Sequence, residues 1–339
     1  MNKILKWLTL TMLLSIGVLV TGCSSDNTGG NASAGEGAKT INVSLPLGPE
    51  SHHDAGVQKF KEELEKNTDG SLTVVPHYNN ELGGEREVVE GMGIGTIDAG
   101  ISSTGPIGGF VQEVMMWDMP YLVDEAEQAY AILDGDIGDE LAGKIEKQAN
   151  VVVLGWMENG FRNETNSVRP VETPEDLKGI KHRTQESKVQ IDTWEAFGTN
   201  ATPMAWPEVY TALQQKVMES QENPLATILD VRFYEVQDYL NLTKHVYSPA
   251  PLLMSKQLFD SFTDEEQEAI MQAAKVATKH QRIASQDMEE DVKKQLVEKG
   301  MTVTEPNLEK FKKAVEPVYE KWAPEIGEEL IKEARNTEY

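Results

Sequence analysis

Apolar and polar residues alternate along Ile41–Leu47, as they do in a half-buried strand, and after Ser51 the period changes. Val57, Phe60 and Leu64 recur at helical spacing behind Ser51 as an N-cap, until Asp69-Gly70 breaks the run. The same reading predicts a strand over Ser71–Tyr78, a helix over Glu85–Ile94 and a short strand over Ile97–Ser102. Strand and helix in alternation mark an α/β unit with parallel pairing. Val151–Trp156 is continuously apolar, which predicts a strand covered on both faces. The alternation then restarts. Thr173-Pro174 caps and opens a short helical turn, Ile180–Thr184 reads as a strand, Val189–Phe197 as a helix closed by Gly198, and Pro207 starts a helix through Gln215. The restart predicts a second domain.

Thr263–Glu298 contains hardly a helix breaker, and Thr263 with Glu266 forms a capping box at its start. Ile270, Ala274, Ala277, Ala284, Met288, Val292 and Leu296 keep one apolar stripe. At 1.5 Å per residue such a helix runs roughly 50 Å, longer than one small domain, so it is expected to cross between two.

The chain opens with Lys3 and Lys6 ahead of an apolar run, Leu8–Val20, too short for a comfortable membrane span. The run ends in Leu19-Val20-Thr21-Gly22-Cys23, which resembles a bacterial lipobox. Residues 1–22 therefore read as a lipoprotein signal peptide and Cys23 as the lipidated mature N-terminus. Residues 23–39 are rich in Ser, Asn, Gly and Ala and read as a flexible tether. Cys23 is the only cysteine, so no disulfide forms within the chain. These features place the protein outside the cytoplasm, held to the membrane by lipid.

The net charge is −25, and loss of Lys3 and Lys6 with the signal peptide takes it to −27. Such a surface repels nucleic acid and anionic headgroups, so an anionic ligand needs a local cationic pocket. Gly160–Pro224 holds residues suited to one: Arg162, Arg183, Trp206 and Asn223. A guanidinium matches a carboxylate through two parallel N–H bonds, and an aromatic wall with an amide suits a small organic acid. No nucleophile with its own base is evident in that stretch, so no catalytic residue is assigned. His52-His53 lacks a third ligand at metal spacing, and the Gly83-Gly84 and Gly91–Gly95 glycines lack phosphate-loop spacing. No metal or cofactor is expected. His53 reads as a helix-entry residue near a cleft, and Ser103 as a source of hydroxyl contacts.

Several segments share one resemblance. Glu81-Leu-Gly-Gly-Glu-Arg-Glu87, Asn159-Gly-Phe-Arg-Asn163, Thr173-Pro-Glu-Asp-Leu-Lys-Gly179, Pro203-Met-Ala-Trp206, Tyr210-Thr-Ala-Leu-Gln-Gln215 and Gln221-Glu-Asn-Pro224 follow in order with consistent spacing. They resemble the solute-binding proteins of tripartite ATP-independent periplasmic (TRAP) transporters, of the C4-dicarboxylate-binding type. The resemblance implies an α/β, two-domain clamp, each domain a sheet flanked by helices, with the long helix shared. Domain I would take residues 40–160 and about 249–288, and domain II residues 161–248 and about 289–339. It also implies that Arg183 clamps a carboxylate, Asn223 completes that site, Trp206 packs on the ligand and Arg162 is a second cationic contact. The partners implied are membrane transporter subunits driven by an ion gradient.

The chain departs from the family pattern at His182, at Thr184-Gln185 in place of Val-Pro, and at Met218-Glu219-Ser220 in place of Val-Asp-Gly. Strand alternation sends Gln185 to the face of Arg183, toward ligand, and His182 to the opposite face. The favoured ligand is a sugar acid such as a hexuronate, with a C4-dicarboxylate or a sialic-acid-like ligand as alternatives. A secreted enzyme acting on carboxylated sugars is the rival of another class.

Overall fold

In a computed structural model of the protein, residues 37–339 are described. The signal peptide expected over 1–22, Cys23 and nearly all of the 23–39 tether lie outside them. Among the described residues no helix is long and apolar enough to cross a membrane.

The strands are β1 (Lys39–Ser44), β2 (Leu72–His77), β3 (Ala99–Ile101), β4 (Val151–Asn166), β5 (Lys181–Thr184), β6 (Asn200–Pro203), β7 (Ser220–Asn223), β8 (Tyr239–Ser255) and β9 (Thr302–Thr304). They join in one sheet of order β2-β1-β3-β8-β4-β7-β5-β6, with β9 also paired to β8. The parallel β1–β2 and β1–β3 pairs agree with the α/β reading of the first segments, and β5–β6 and β5–β7 repeat the pattern beyond. β4 and β8 pair antiparallel along almost their whole lengths. At about 3.4 Å per residue each runs roughly 50 Å, which makes the sheet continuous from the first α/β unit to the second.

β4 extends ten residues past Trp156, where the apolar run stops. Register shifts at Val153/Gly155, Glu158/Gly160 and Arg162/Glu164 let it follow the twist. Gly155 is fixed by a close approach: a Cβ there would stand 2.2 Å from Thr278 Oγ1 on the long helix. That helix runs Asp264–Glu298, with the Thr263–Glu266 capping box formed in both directions. Its first half packs Ile270, Ala273, Ala274 and Ala277 into a core with Val57, Phe60 and Leu64 of the helix His52–Asn67. Its second half gives Val292 and Leu296 to a separate core with Val209, Leu213 and Phe233. One helix thus serves two cores, as its length requires.

Candidate functional site

Alternation along β5 turns Arg183 away from His182. His182 packs inward, its ring stacked on Trp194 at a centroid distance of 3.6 Å and its Nδ1 2.7 Å from Ser220 Oγ. Burial holds its pKa well below the ordinary imidazole value, against the pull of Glu222. On the other side, the Arg183 Nε and Nη2 both donate to the Met204 carbonyl, at 3.0 and 2.8 Å. Its Nη1 is buried without a hydrogen-bond partner. No carboxylate lies within ion-pair distance of Arg183 among the described residues. Burial lowers its pKa to about 10, so it stays charged at neutral pH. A buried guanidinium with an unfilled edge is a socket for an anion.

A cavity of about 20 Å³ is lined by Gln185, Trp206, Asn223, Ser103 and His53, which the sequence reading had placed near ligand; Arg183 is not on its lining and adjoins it through Trp206. Asn159, Glu85, Pro46, Leu47 and Thr227 complete the lining and are additions to that reading. Trp206 stands with its ring centre 5.8 Å from the Arg183 guanidinium carbon and donates from Nε1 to the Pro46 carbonyl at 3.2 Å. Asn159 donates to Ser103 Oγ at 3.0 Å and to Ser248 Oγ at 3.2 Å, and the Ser103 N–H donates to Glu85. Both ring nitrogens of His53 are buried without partners. Burial, with His52 adding to it and Asn159 opposing, keeps His53 neutral.

Arg162 sits elsewhere than on this lining. Its Nε pairs with the Glu222 carboxylate, and its Nη2 donates to Glu222 Oε1 at 2.8 Å, to the Glu222 carbonyl at 2.8 Å and to Asn223 Oδ1 at 3.1 Å. His245 Nε2 approaches Glu222 at 3.1 Å, and both members of the ion pair are 1% exposed. Burial alone would raise the Glu222 pKa; Arg162 and His245 outweigh it and hold the carboxyl far below its usual range. The charge of Arg162 is therefore matched within the protein, and its remaining bond fixes the Asn223 oxygen. The Asn223 amide donates to Gln221 Oε1 at 2.5 Å and keeps a second N–H.

Behind β7, Glu164 is fully buried and accepts from Ser220, Asn166 and Asn241. No cation is among its partners, and burial pushes its pKa up to about 7 despite those three donors. A raised carboxyl stabilises the fold fully below its unfolded pKa, and that stability is lost as pH rises through about 7. Glu164→Gln keeps acceptors for the two asparagines and offers Ser220 a donor. Denaturation at pH 5 and pH 8 should show the variant losing less stability between them than the parent, by about 3 kcal/mol. Equal losses would refute the burial argument.

Known proteins give these features a context. The sequence model for bacterial extracellular solute-binding protein, family 7, matches residues 45–325. A solute-binding protein of Verminephrobacter eiseniae is 40% identical over 301 residues, covering 88% of this chain and 89% of the relative. A crystal structure of a TRAP periplasmic solute-binding protein from Polaromonas sp. JS666, bound to D-erythronate, superposes with a TM-score of 0.86 at 39% identity, over 88% of this chain and 99% of that one. The sugar acid binding protein DctPAm of Advenella mimigardefordensis, in complex with galactonate, gives a TM-score of 0.86 at 34% identity, over 88% and 97%.

Proposed function

Because this chain belongs to family 7 of the bacterial extracellular solute-binding proteins, the solute receptors of TRAP transporters, we propose that it captures a sugar acid and hands it to the membrane subunits. The observation that carries the ligand class is the buried Nη1 edge of Arg183, which has no partner and stands against Trp206, itself on the cavity lining. Arg183 takes the carboxylate, Asn223 and Gln185 donate to adjacent oxygens, Trp206 covers the carbon chain, and Ser103 and His53 meet the hydroxyls. Arg162 acts one bond behind, by holding Asn223. Aldonates in the Polaromonas and Advenella proteins favour a polyhydroxylated acid over a C4-dicarboxylate or a sialic-acid-like ligand.

A cavity of about 20 Å³ holds one water, whereas small-molecule sites occupy hundreds of Å³. Entry of a six-carbon acid therefore needs the walls to part, which supports a clamp. The moving bodies proposed are residues 40–160 with about 249–288, and residues 161–248 with about 289–339. Cys23 is proposed as the lipid anchor that keeps the receptor beside its transporter, and the chain is proposed to bind without turnover.

A thermal-shift screen tests the reading, because a ligand that binds the native state raises apparent stability. D-Galactonate or D-galacturonate at about 100 times its Kd should add about 2.7 kcal/mol, and should be recovered unaltered. Stabilisation by neutral sugars alone would overturn the carboxylate reading. Stabilisation by succinate alone would overturn the sugar-acid choice, and release of a new product would favour the enzyme.

A further inference from the structure

One cavity residue is held by a chain of groups that reaches away from the site. Asp118 is 1% exposed, and its two oxygens accept from Ser187 Oγ at 2.7 Å and from Gln190 Nε2 at 2.9 Å. Burial pushes its pKa up to about 6, with Ser187 and Gln190 opposing, so at neutral pH it is mostly ionised and can only accept. That fixes the Gln190 amide: turned over, it would set its oxygen against a carboxylate. The second Gln190 N–H donates to Gln185 Oε1 at 2.9 Å, and Gln190 Oε1 takes the Gln185 backbone N–H at 3.3 Å. Gln185 is fixed in turn, since its nitrogen at that place would face another donor. The Gln185 Nε2 has no protein partner among the described residues, and Gln185 lines the cavity. Gly105, in the short helix Thr104–Ile107, lies against the pair: a Cβ there would stand 2.9 Å from Gln185 Oε1 and 3.3 Å from Gln190 Nε2, so a side chain at this position would press on both amides.

We infer that Asp118 and Gln190 are positioning residues that lock the Gln185 amide with its donor end toward ligand, and that this donor selects acids carrying an oxygen on carbon 2. The inference rests on the sugar-acid reading above and adds a position to it. Arg183 stands on β5 and Gln185 one residue past its end, roughly 7 Å further along the chain. With a carboxylate on Arg183, the oxygen on the adjoining carbon is the nearest acceptor to the Gln185 donor. A hydroxyl or keto oxygen accepts there, whereas a methylene leaves the N–H buried and unpaired.

The test compares D-galactonate with 2-deoxy-D-galactonate by titration calorimetry. The parent protein should favour the hydroxy acid about tenfold or more. Gln185→Met should bring that ratio toward one. Gln190→Met, which removes the lock and leaves Gln185 in place, should also lower the ratio several-fold, with the loss falling on galactonate. Gln190→Leu, which removes both donors without bringing a second carboxylate to Asp118, serves as the second variant should the first fail to fold. An unchanged ratio in folded Gln190 variants overturns the lock, as does an equal loss for both acids, which is what a merely structural role would give. A parent ratio near one overturns the selection. If the parent binds neither acid, the sugar-acid reading itself fails, which is a different result from binding both alike.

Discussion

Replacing Arg183 with lysine is expected to weaken acid binding by about 30- to 100-fold while leaving the fold intact. The Nε and Nη2 groups share one carbonyl, that of Met204, and this holds the guanidinium plane still. The edge left over carries Nη1 and the second hydrogen of Nη2, spaced to meet two carboxylate oxygens. Lysine has one nitrogen for both tasks, so it keeps the charge and loses either the anchor or the fork. Charge-assisted bonds of this type contribute about 2–3 kcal/mol, and about 1.4 kcal/mol is a factor of ten. Arg183→Ala should cost more, because it removes the cation that no carboxylate among the described residues neutralises, on a chain of charge −25. Titration calorimetry with D-galactonate, beside a melting curve for each variant, separates lost contact from lost fold. Affinity for Arg183→Lys within threefold of the parent would show that charge alone holds the acid.

Much of this site can be read without coordinates, because its parts stand at element ends that local chemistry marks. Thr173-Pro174, Ser51, and Thr263 with Glu266 each announce a helix start; the Ser51 and Thr263 side chains cap theirs, and at Thr173 the Asp176 carboxylate takes the backbone N–H. Strand alternation alone sends Arg183 and His182 apart. The long strands are a different matter. β8 escapes the sequence reading because Pro249 and Pro251 argue against a strand, and because Asn241, Thr243, His245 and Ser248 look like solvent-facing residues. β4 is cut short for the same reason, since Glu158, Asn159, Arg162 and Glu164 are buried polar groups. Apolar patterning finds cores, and here the middle of the sheet is a polar network. Many of its bonds join residues far apart in sequence, such as Glu164 with Ser220 and Asn241. Arg162 shows the consequence: it resembles a ligand contact until Glu222, sixty positions on, takes its charge. Gln190 shows it as well, because its role depends on Asp118, seventy-two positions earlier.

Glu222→Gln should destabilise the protein by about 3–5 kcal/mol, the cost of leaving one buried charge without its partner. The amide keeps nearly the shape of the carboxylate, so the loss reports charge and not volume. Arg162 would then remain 1% exposed with no anion, and His245 could no longer draw on one. Coulomb attraction in the interior offsets the desolvation of both ions only while both are present. The double variant Arg162→Met, Glu222→Gln should therefore be less destabilised than the sum of its single changes, and a double-mutant cycle measures the difference. The acid limb gives an independent check. A depressed carboxyl contributes stability that is present above its unfolded pKa, near 4.5, and is lost as pH falls through the folded value. Parent protein should lose stability steeply below pH 4, and Glu222→Gln should lack that part of the slope. Denaturant titrations at pH 3, 5 and 7 would decide it. A loss under 1 kcal/mol at pH 7, or an acid limb unchanged in the variant, would mean that the pair is solvated in solution and that Arg162 is free to meet ligand directly.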